Sequence, residues 1–284
     1  MHSAVDIIIS SFLNRQPAEK QDRLLRFLPD SKREKVQQLI PVSRAAESED
    51  DTYEKMVERV HWSWFLPTLK SYSLPEQSMF LAVLNIQAAQ ALAAEIPCKF
   101  GKTEITALGR SYLKQVLLDS LVGPHGGILP INFLPASPLN KILNLSKSQI
   151  INLIDLAAMH DLAVEIRQIV ETKILKKIYS FLTEEQRRFL KLMAAKHEVG
   201  LPSKIGLDRW DGNEDTLRHL LHKKGLARLG IALSGQNPSL SWHVCHLLDI
   251  GRGSALFKLC EREGSGPAVE TSVRQIEELL EFEL

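Results

Sequence analysis

The chain of 284 residues carries 44% hydrophobic, 24% charged and 6% aromatic side chains, with 35 Lys and Arg against 34 Asp and Glu for a formal charge of +1. That composition excludes a disordered, collagenous or disulfide-stapled chain. Its near-neutrality excludes a global field drawing the protein to nucleic acid or anionic lipid.

Apolar residues recur three or four apart almost throughout, and strand-like alternation is scarce, so the expected fold class is all-α. Residues 1–42 read as an N-terminal helical hairpin. The opening stretch has no basic region before its short apolar run and no small-residue cleavage site, which argues against a signal peptide. No run reaches the roughly 18 apolar residues that a membrane span needs. Residues 43–52 form an acidic linker, with no large apolar side chain between Ser43 and Asp51.

Residues 53–199 form a middle helical region, interrupted at 123–138, where Gly123, Pro124, Gly126, Gly127, Pro130, Pro135 and Pro138 forbid regular helix. Within it, Leu162, Ile166, Ile169, Val170, Ile174, Ile178 and Phe181 predict one amphipathic helix over 160–182. After a break holding Gly200, Pro202, Gly206 and Gly212, residues 200–284 form a C-terminal helical bundle, closed by an amphipathic stretch with Val273, Ile276 and Leu280.

Helix starts are predicted at Ser31 with Glu34, Ser73 with Glu76, Ser146 with Gln149 and Thr183 with Gln186, each a hydroxyl answered three residues later by an acid or amide. Stops are expected at Pro29, Pro41, Pro97 and Gly200. The segments entering at Pro17, Pro75 and Thr183 share an acidic first turn followed by an apolar face, the pattern that stacked, armadillo-like helical hairpins produce. Helix starts in any helical protein share that pattern too.

Motifs that would carry catalysis are incomplete. Gly101-Lys102-Thr103 is half of a phosphate-binding loop, but Ile96 stands where the first glycine is required. Gly251-Arg252-Gly253 opens like a dinucleotide fingerprint, yet Leu256 occupies the third glycine position. His219 with His222, and His243 with Cys245 and His246, have zinc-compatible donors without a Cys-x-x-Cys pair, so partly buried structural histidines are expected instead. His125 sits in a Gly-Pro-His-Gly-Gly turn, and neither a nucleophile elbow nor an H-E-x-x-H helix occurs. The expectation is a protein without enzymatic activity, cofactor or metal. Cys98, Cys245 and Cys260, odd in number and widely spaced, suit buried thiols in a reducing, cytoplasmic setting.

Charge patterning points to protein interaction. Residues 166–230 hold fourteen basic and eight acidic side chains, whereas 270–284 hold five acidic and one basic. A basic helix face would meet an acidic protein surface; the alternative is a helical nucleic-acid-binding regulator using the same 166–230 segment. His61-Trp62-Ser63-Trp64-Phe65 is expected to begin a helix with its two tryptophans about 200° apart around the axis, one in the core and the other at a partner, or both buried between hairpins. The candidate partner-binding residues are Trp62, Trp64, Lys173, Lys177, Arg187, Arg188, Arg252, Lys258 and Glu261.

One resemblance gathers these features. Leu207-Asp208, a helix through Leu217, Leu220 and Leu221, the run Leu226 to Gly235, and Gly266-Pro267 before Ile276-Glu277-Glu278-Leu279-Leu280 follow in that order. Together, residues 182–284 resemble the C-terminal domain of the flagellar motor switch protein FliG. The stretch from Tyr53 to Ile96 is more faintly similar to that family's middle domain, retaining His61 of its Glu-His-Pro-Gln motif. Where the family's ridge helix carries a basic residue and then an acidic pair, this chain has Arg252, but Leu259 and Cys260 with only Glu261 nearby. The resemblance therefore implies a FliG-like or SctK-like component of a bacterial type III secretion apparatus rather than a torque generator. It implies a cytoplasmic scaffold, peripheral to the inner membrane through the basal body, that docks other secretion or flagellar ring proteins, can self-associate, and has no small-molecule substrate.

Overall fold

The computed structural model describes residues 4–14, 16, 18–44, 53–98, 104–122, 127–195, 204–262 and 266–282. Among these, all regular secondary structure is helical, with sixteen α-helices, four short 3-10 helices and no strands. The all-α expectation holds. No helix among the described residues is long and apolar enough to cross a membrane. The chain forms two compact units, residues 1–136 and 137–284. The division falls inside the Gly/Pro-rich stretch at 123–138, whereas the boundary expected at 199/200 lies within the second unit. Most of the 43–52 linker, Gly101-Lys102-Thr103, His125 and Gly200 lie outside the described residues.

The first unit contains α1 (Ala4–Asn14), α2 (Ala18–Leu25), α3 (Asp30–Arg44), α4 (Tyr53–Arg59), α5 (Leu66–Lys70), α6 (Leu74–Val83), α7 (Ile86–Glu95) and α8 (Ala107–Val122). Leu13, Leu25 and Val36 form a small core between α1, α2 and α3, joined by Ile9, Leu24 and Leu28. Helix α1 buries Asp6 and Ser10 along with Leu13, while Val5, Ile8 and Phe12 are exposed. Ser31 is not a cap, since α3 begins one residue earlier, with the Lys32 and Arg33 amides donating to the Pro29 carbonyl. Nor does Pro41 stop α3, which continues to Arg44. Proline deletes one hydrogen bond to the preceding turn, and so near the helix end few further bonds depend on it.

Further along, α4 packs on α8, with the almost buried Lys114 ammonium 2.8 Å from Glu58. Buried Gln77 donates its amide to the Leu69 and Tyr72 carbonyls at the end of α5 (3.1 and 2.9 Å). Arg110 does the same for Ala82 at the end of α6 (3.3 Å). These bonds satisfy carbonyls that a helix terminus otherwise leaves unpaired.

The second unit contains α9 (Lys147–Ala157), α10 (Met159–Ile166), α11 (Thr172–Phe181), α12 (Glu184–Ala195), α13 (Glu214–Ser234), α14 (Pro238–Leu247), α15 (Ile250–Cys260) and α16 (Gly266–Glu281). Three of the four expected capping pairs form: Ser73 with Glu76, Ser146 with Gln149 and Thr183 with Gln186. The single helix expected over 160–182 is instead α10 and α11, separated at 167–171, where Val170 is exposed. At the break, Arg167 keeps helical backbone angles as the cap of α10, and its side chain donates to the Met193 and Ala194 carbonyls at the end of α12 (3.4 and 2.8 Å).

Helix α13 is the axis of this unit, packing on α9, α10, α15 and α16. It has glycine where two of those neighbours press closest. A β-carbon on Gly225 would overlap the Ile154 carbonyl of α9, and one on Gly230 would sit 2.5 Å from Leu259 Cβ of α15. The two positions lie about 140° apart around the helix, so α13 can be approached from two sides at once. Between them, Arg228 reaches buried Asp161 of α10 at 2.5 Å and also donates to Gln275 of α16. A pair this deep is retained only with its partners in place, because either charge alone would be stranded away from water.

Glu165 of α10 ties down the approach to α13. Its carboxylate accepts three successive amides, from Ile205, Gly206 and Leu207, at 2.5, 3.1 and 2.7 Å. Gly206 adopts φ +95°, the left-handed conformation that favours glycine, in the middle of this turn. The tie crosses the sequence position where a domain boundary was expected.

Gly225→Ala is expected to lower stability by about 3 kcal/mol, at the upper end of overpacking costs because backbone must move. Gly251→Ala, on the exposed first turn of α15 with ordinary contact to Asp249, is expected to raise it by up to about 1 kcal/mol. Thermal or urea unfolding of the two variants measures the contrast, and equal effects would contradict the backbone contact.

Candidate functional site

Seven of the nine candidate residues lie in the second unit, and Trp62 and Trp64 lie in the first. Helix α11 has one anchored side and one solvated side. Ile178 is fully buried, and Phe181 meets Trp210 edge-to-face at 6.2 Å between ring centroids. Lys173, Lys176 and Lys177 are exposed. Lys173 and Lys177 are four residues apart and so share a helix face. The Lys177 side chain also crosses Gly212, whose φ of +79° shapes the turn before α13; a β-carbon there would lie 2.9 Å from the lysine Nζ.

On α12, Arg187, Arg188 and Lys191 are exposed. The Arg188 guanidinium lies 5.1 Å from the Phe282 ring centroid, a cation–π contact, and Arg187 Nε donates to its own helix at Thr183 O (3.4 Å). Lys173 and Lys176 of α11 thus face solvent and Lys177 is exposed where it crosses Gly212, whereas both arginines of α12 are partly engaged.

Arg252 sits in a chain of polar groups linking three helices. Its Nη1 donates to Asp249 at 2.7 Å and its Nε to His222 Nε2 at 3.3 Å. His222 Nδ1 in turn donates to Asp155 at 2.7 Å, and Lys147 approaches Asp249 at 3.4 Å. Accepting from Arg252 and donating to Asp155 fixes His222 as the Nδ1–H tautomer. Asp249 is also the N-cap of α15, accepting the Arg252 amide at 3.2 Å. Partial burial pushes the Asp249 carboxyl up, but the Arg252 guanidinium and amide, with Lys147, outweigh it and hold the group down at about 2.

Arg252 lies in a charged cluster to which Lys147, Asp155, His222 and Asp249 contribute as much. The sequence signal that finds one of them is Asp249 three residues before Arg252, a helix cap with a basic residue at its third position. The His219–His222 pair does not act together, since His219 is exposed and His222 is committed to Asp155 and Arg252. Lys258 and Glu261 are exposed at the far end of α15, where the Glu261 amide donates to the Phe257 carbonyl at 3.1 Å.

Trp62 and Trp64 occupy a three-residue 3-10 turn rather than the start of an α-helix. Pro67 defers the α-helix to Leu66, since proline is tolerated within the first helical turn but not deeper. His61 opens the turn by accepting the Ser63 amide at its Nδ1 (3.3 Å). Both tryptophans are half-buried, while neighbouring Phe65 is 1% exposed and carries the core packing.

Helix α14 is buried from Ser239 through His246. His246 stacks on Trp242 at 4.0 Å between centroids and donates its Nδ1–H to the Trp242 carbonyl at 2.7 Å. Burial keeps this imidazole neutral, pulling it down to about 4 against the helix carbonyl that favours its proton. Among the described residues no group of three or more His, Cys, Asp and Glu side chains is arranged to hold a metal ion.

Comparison of the chain with protein families, curated proteins and solved structures finds no match.

Acid sensitivity should divide into two windows. Below pH 6.5 an unfolded His246 binds a proton that the folded protein refuses until about pH 4, so stability falls as pH drops through that interval. Asp249 contributes stability above 3.8, lost as pH falls toward 2. Thermal midpoints against pH should show a flatter slope between 6.5 and 4 in His246→Phe. In Asp249→Asn, which keeps a capping side chain, the slope should flatten only below 4.

Proposed function

We propose that this chain is a non-enzymatic docking protein whose helix α11 receives an acidic surface of a protein partner. The observation that carries the reading is the exposed set Lys173, Lys176 and Lys177 on a helix fixed to its unit by buried Ile178. Charges displayed on an anchored helix guide association and choose partners without large desolvation costs. The likeness of residues 182–284 to the FliG C-terminal domain supplies the setting: a cytoplasmic ring of a bacterial type III secretion or flagellar-type apparatus, with the chain reaching the membrane only through the basal body. Stacked, armadillo-like hairpins and self-association belong to the same reading. The Arg252 cluster, with Lys258 and Glu261 on its helix, is the second contact region, and Trp62 or Trp64 the third.

Co-purification of the full chain with basal-body and ring proteins from a secretion-competent bacterium tests the proposal. Lys173→Glu, Lys176→Glu and Lys177→Glu combined should reduce recovery by at least about tenfold, as expected for reversed charge at an electrostatic interface, with the thermal midpoint unchanged. Recovery of no ring or basal-body protein with the unmodified chain would overturn the assignment. If duplex DNA or RNA instead bound at low salt and was released as salt rose, the basic segment would serve nucleic acid.

A further inference from the structure

We infer that His222 is a proton switch on the Arg252 cluster: neutral, it holds Arg252 to α13, and protonated, it releases that contact and leaves the cluster positively charged. The direction of two hydrogen bonds carries this. His222 Nδ1 donates to Asp155 of α9 at 2.7 Å, and its Nε2 accepts from Arg252 Nε of α15 at 3.3 Å. An imidazole fills both roles only while neutral, because the imidazolium has a hydrogen on each ring nitrogen and no lone pair to offer. A guanidinium accepts nothing either. Protonation of Nε2 therefore sets two N–H groups and two positive charges against each other where a hydrogen bond had been. The Asp155 contact survives, since its bond from Nδ1 becomes charge-assisted. The Arg252 contact is the one that yields.

The charges around the ring are balanced only while it is neutral. Helix α9 contributes Asp155 and Lys147, and α15 contributes Arg252 with its N-cap Asp249, two acids against two bases. Along α13 itself the neighbouring titratable groups are Arg218, paired with Glu214 at 2.6 Å, His219, Lys223 and Lys224. The other helices packed on α13 place their polar groups further along it. Asp161 of α10 and Gln275 of α16 meet it at Arg228, Glu165 of α10 is held by the Ile205, Gly206 and Leu207 amides, and Ser241 of α14 donates to the Leu233 carbonyl. Asp249 remains ionised far below the range in which histidines titrate. It therefore keeps Arg252 Nη1 at 2.7 Å and continues to cap α15 through the Arg252 amide after His222 is charged. The switch thus adds one positive charge and frees one guanidinium N–H at the half-buried start of α15, without unwinding the helix.

Nitrogen-resolved NMR of the histidine and arginine side chains tests this on the full chain, followed from about pH 8 to about pH 5. At the upper end His222 should show a protonated Nδ1 and an unprotonated Nε2. On acidification Nε2 should take up its proton, and the Arg252 Nε–H signal should shift with the same midpoint. In His222→Gln, exposed His219 should still titrate while the Arg252 signal stays fixed. Arg252→Gln should raise the His222 midpoint by removing the cation it faces, and Asp155→Asn should lower it by removing the carboxylate. Should a variant fail to fold, the titration of the unmodified chain still decides. An Arg252 Nε–H signal that does not move while His222 takes its proton, or a His222 already protonated on both nitrogens at the upper end, would overturn the switch.

Discussion

The second unit depends on one close approach, the passage of α13 over α9 with nothing between Gly225 and the Ile154 backbone. Helix axes are ordinarily held apart by the side chains between them, and here a single missing β-carbon sets the spacing. With α13 seated that deeply, its opposite side is available to α15 through Gly230, and Arg228 is carried inward to Asp161 and Gln275. The buried ion pair follows from the crossing: a guanidinium drawn so far from water needs a carboxylate already waiting on α10, and Asp161 is 4% exposed.

From that axis the candidate surfaces acquire fixed positions. Helix α15, held against α13, brings Arg252 within reach of His222 on α13 while Asp249 caps the same helix. Helix α14 is left with no solvated face from Ser239 to His246, which explains why it holds a neutral His246 stacked on Trp242 and a buried thiol rather than Lys, Arg, Asp or Glu. By contrast, α11 is attached through Ile178 and Phe181 on one side only, so its lysines remain available to solvent. Rigid packing and displayed charge are thus assigned to different helices of one unit.

Local rules were well written in the sequence, and long-range ones were not. Ser73, Ser146 and Thr183 cap their helices because capping depends only on residues three apart. The apolar faces expected after Pro75 and Thr183 likewise supply core residues, Phe80 and Leu81 in one and Phe189 and Leu190 in the other. What failed depended on partners far along the chain. The periodic stripe is interrupted where the Arg167 side chain reaches Met193 and Ala194, and Glu165 binds the amides of Ile205 to Leu207 across the stretch where Pro202 and the glycines suggested a boundary. Gly225 and Gly230 look like weak points in a helix until the neighbours they admit are known. Arg252 was visible as a charge, but its meaning lies in Asp155, Lys147 and His222, whose convergence no spacing rule encodes.

The account stands on residues 137–284 being one cooperative body. Native-state hydrogen exchange of the full chain measures this most directly. The slowest amides of α9, α10, α13 and α15 should share one opening free energy and one response to denaturant, because separating α13 from α9 exposes both. If α9 to α12 instead opened at a different free energy from α13 to α16, the Gly225 crossing would not be the contact that holds the unit together, and the chain would divide near residue 200 after all.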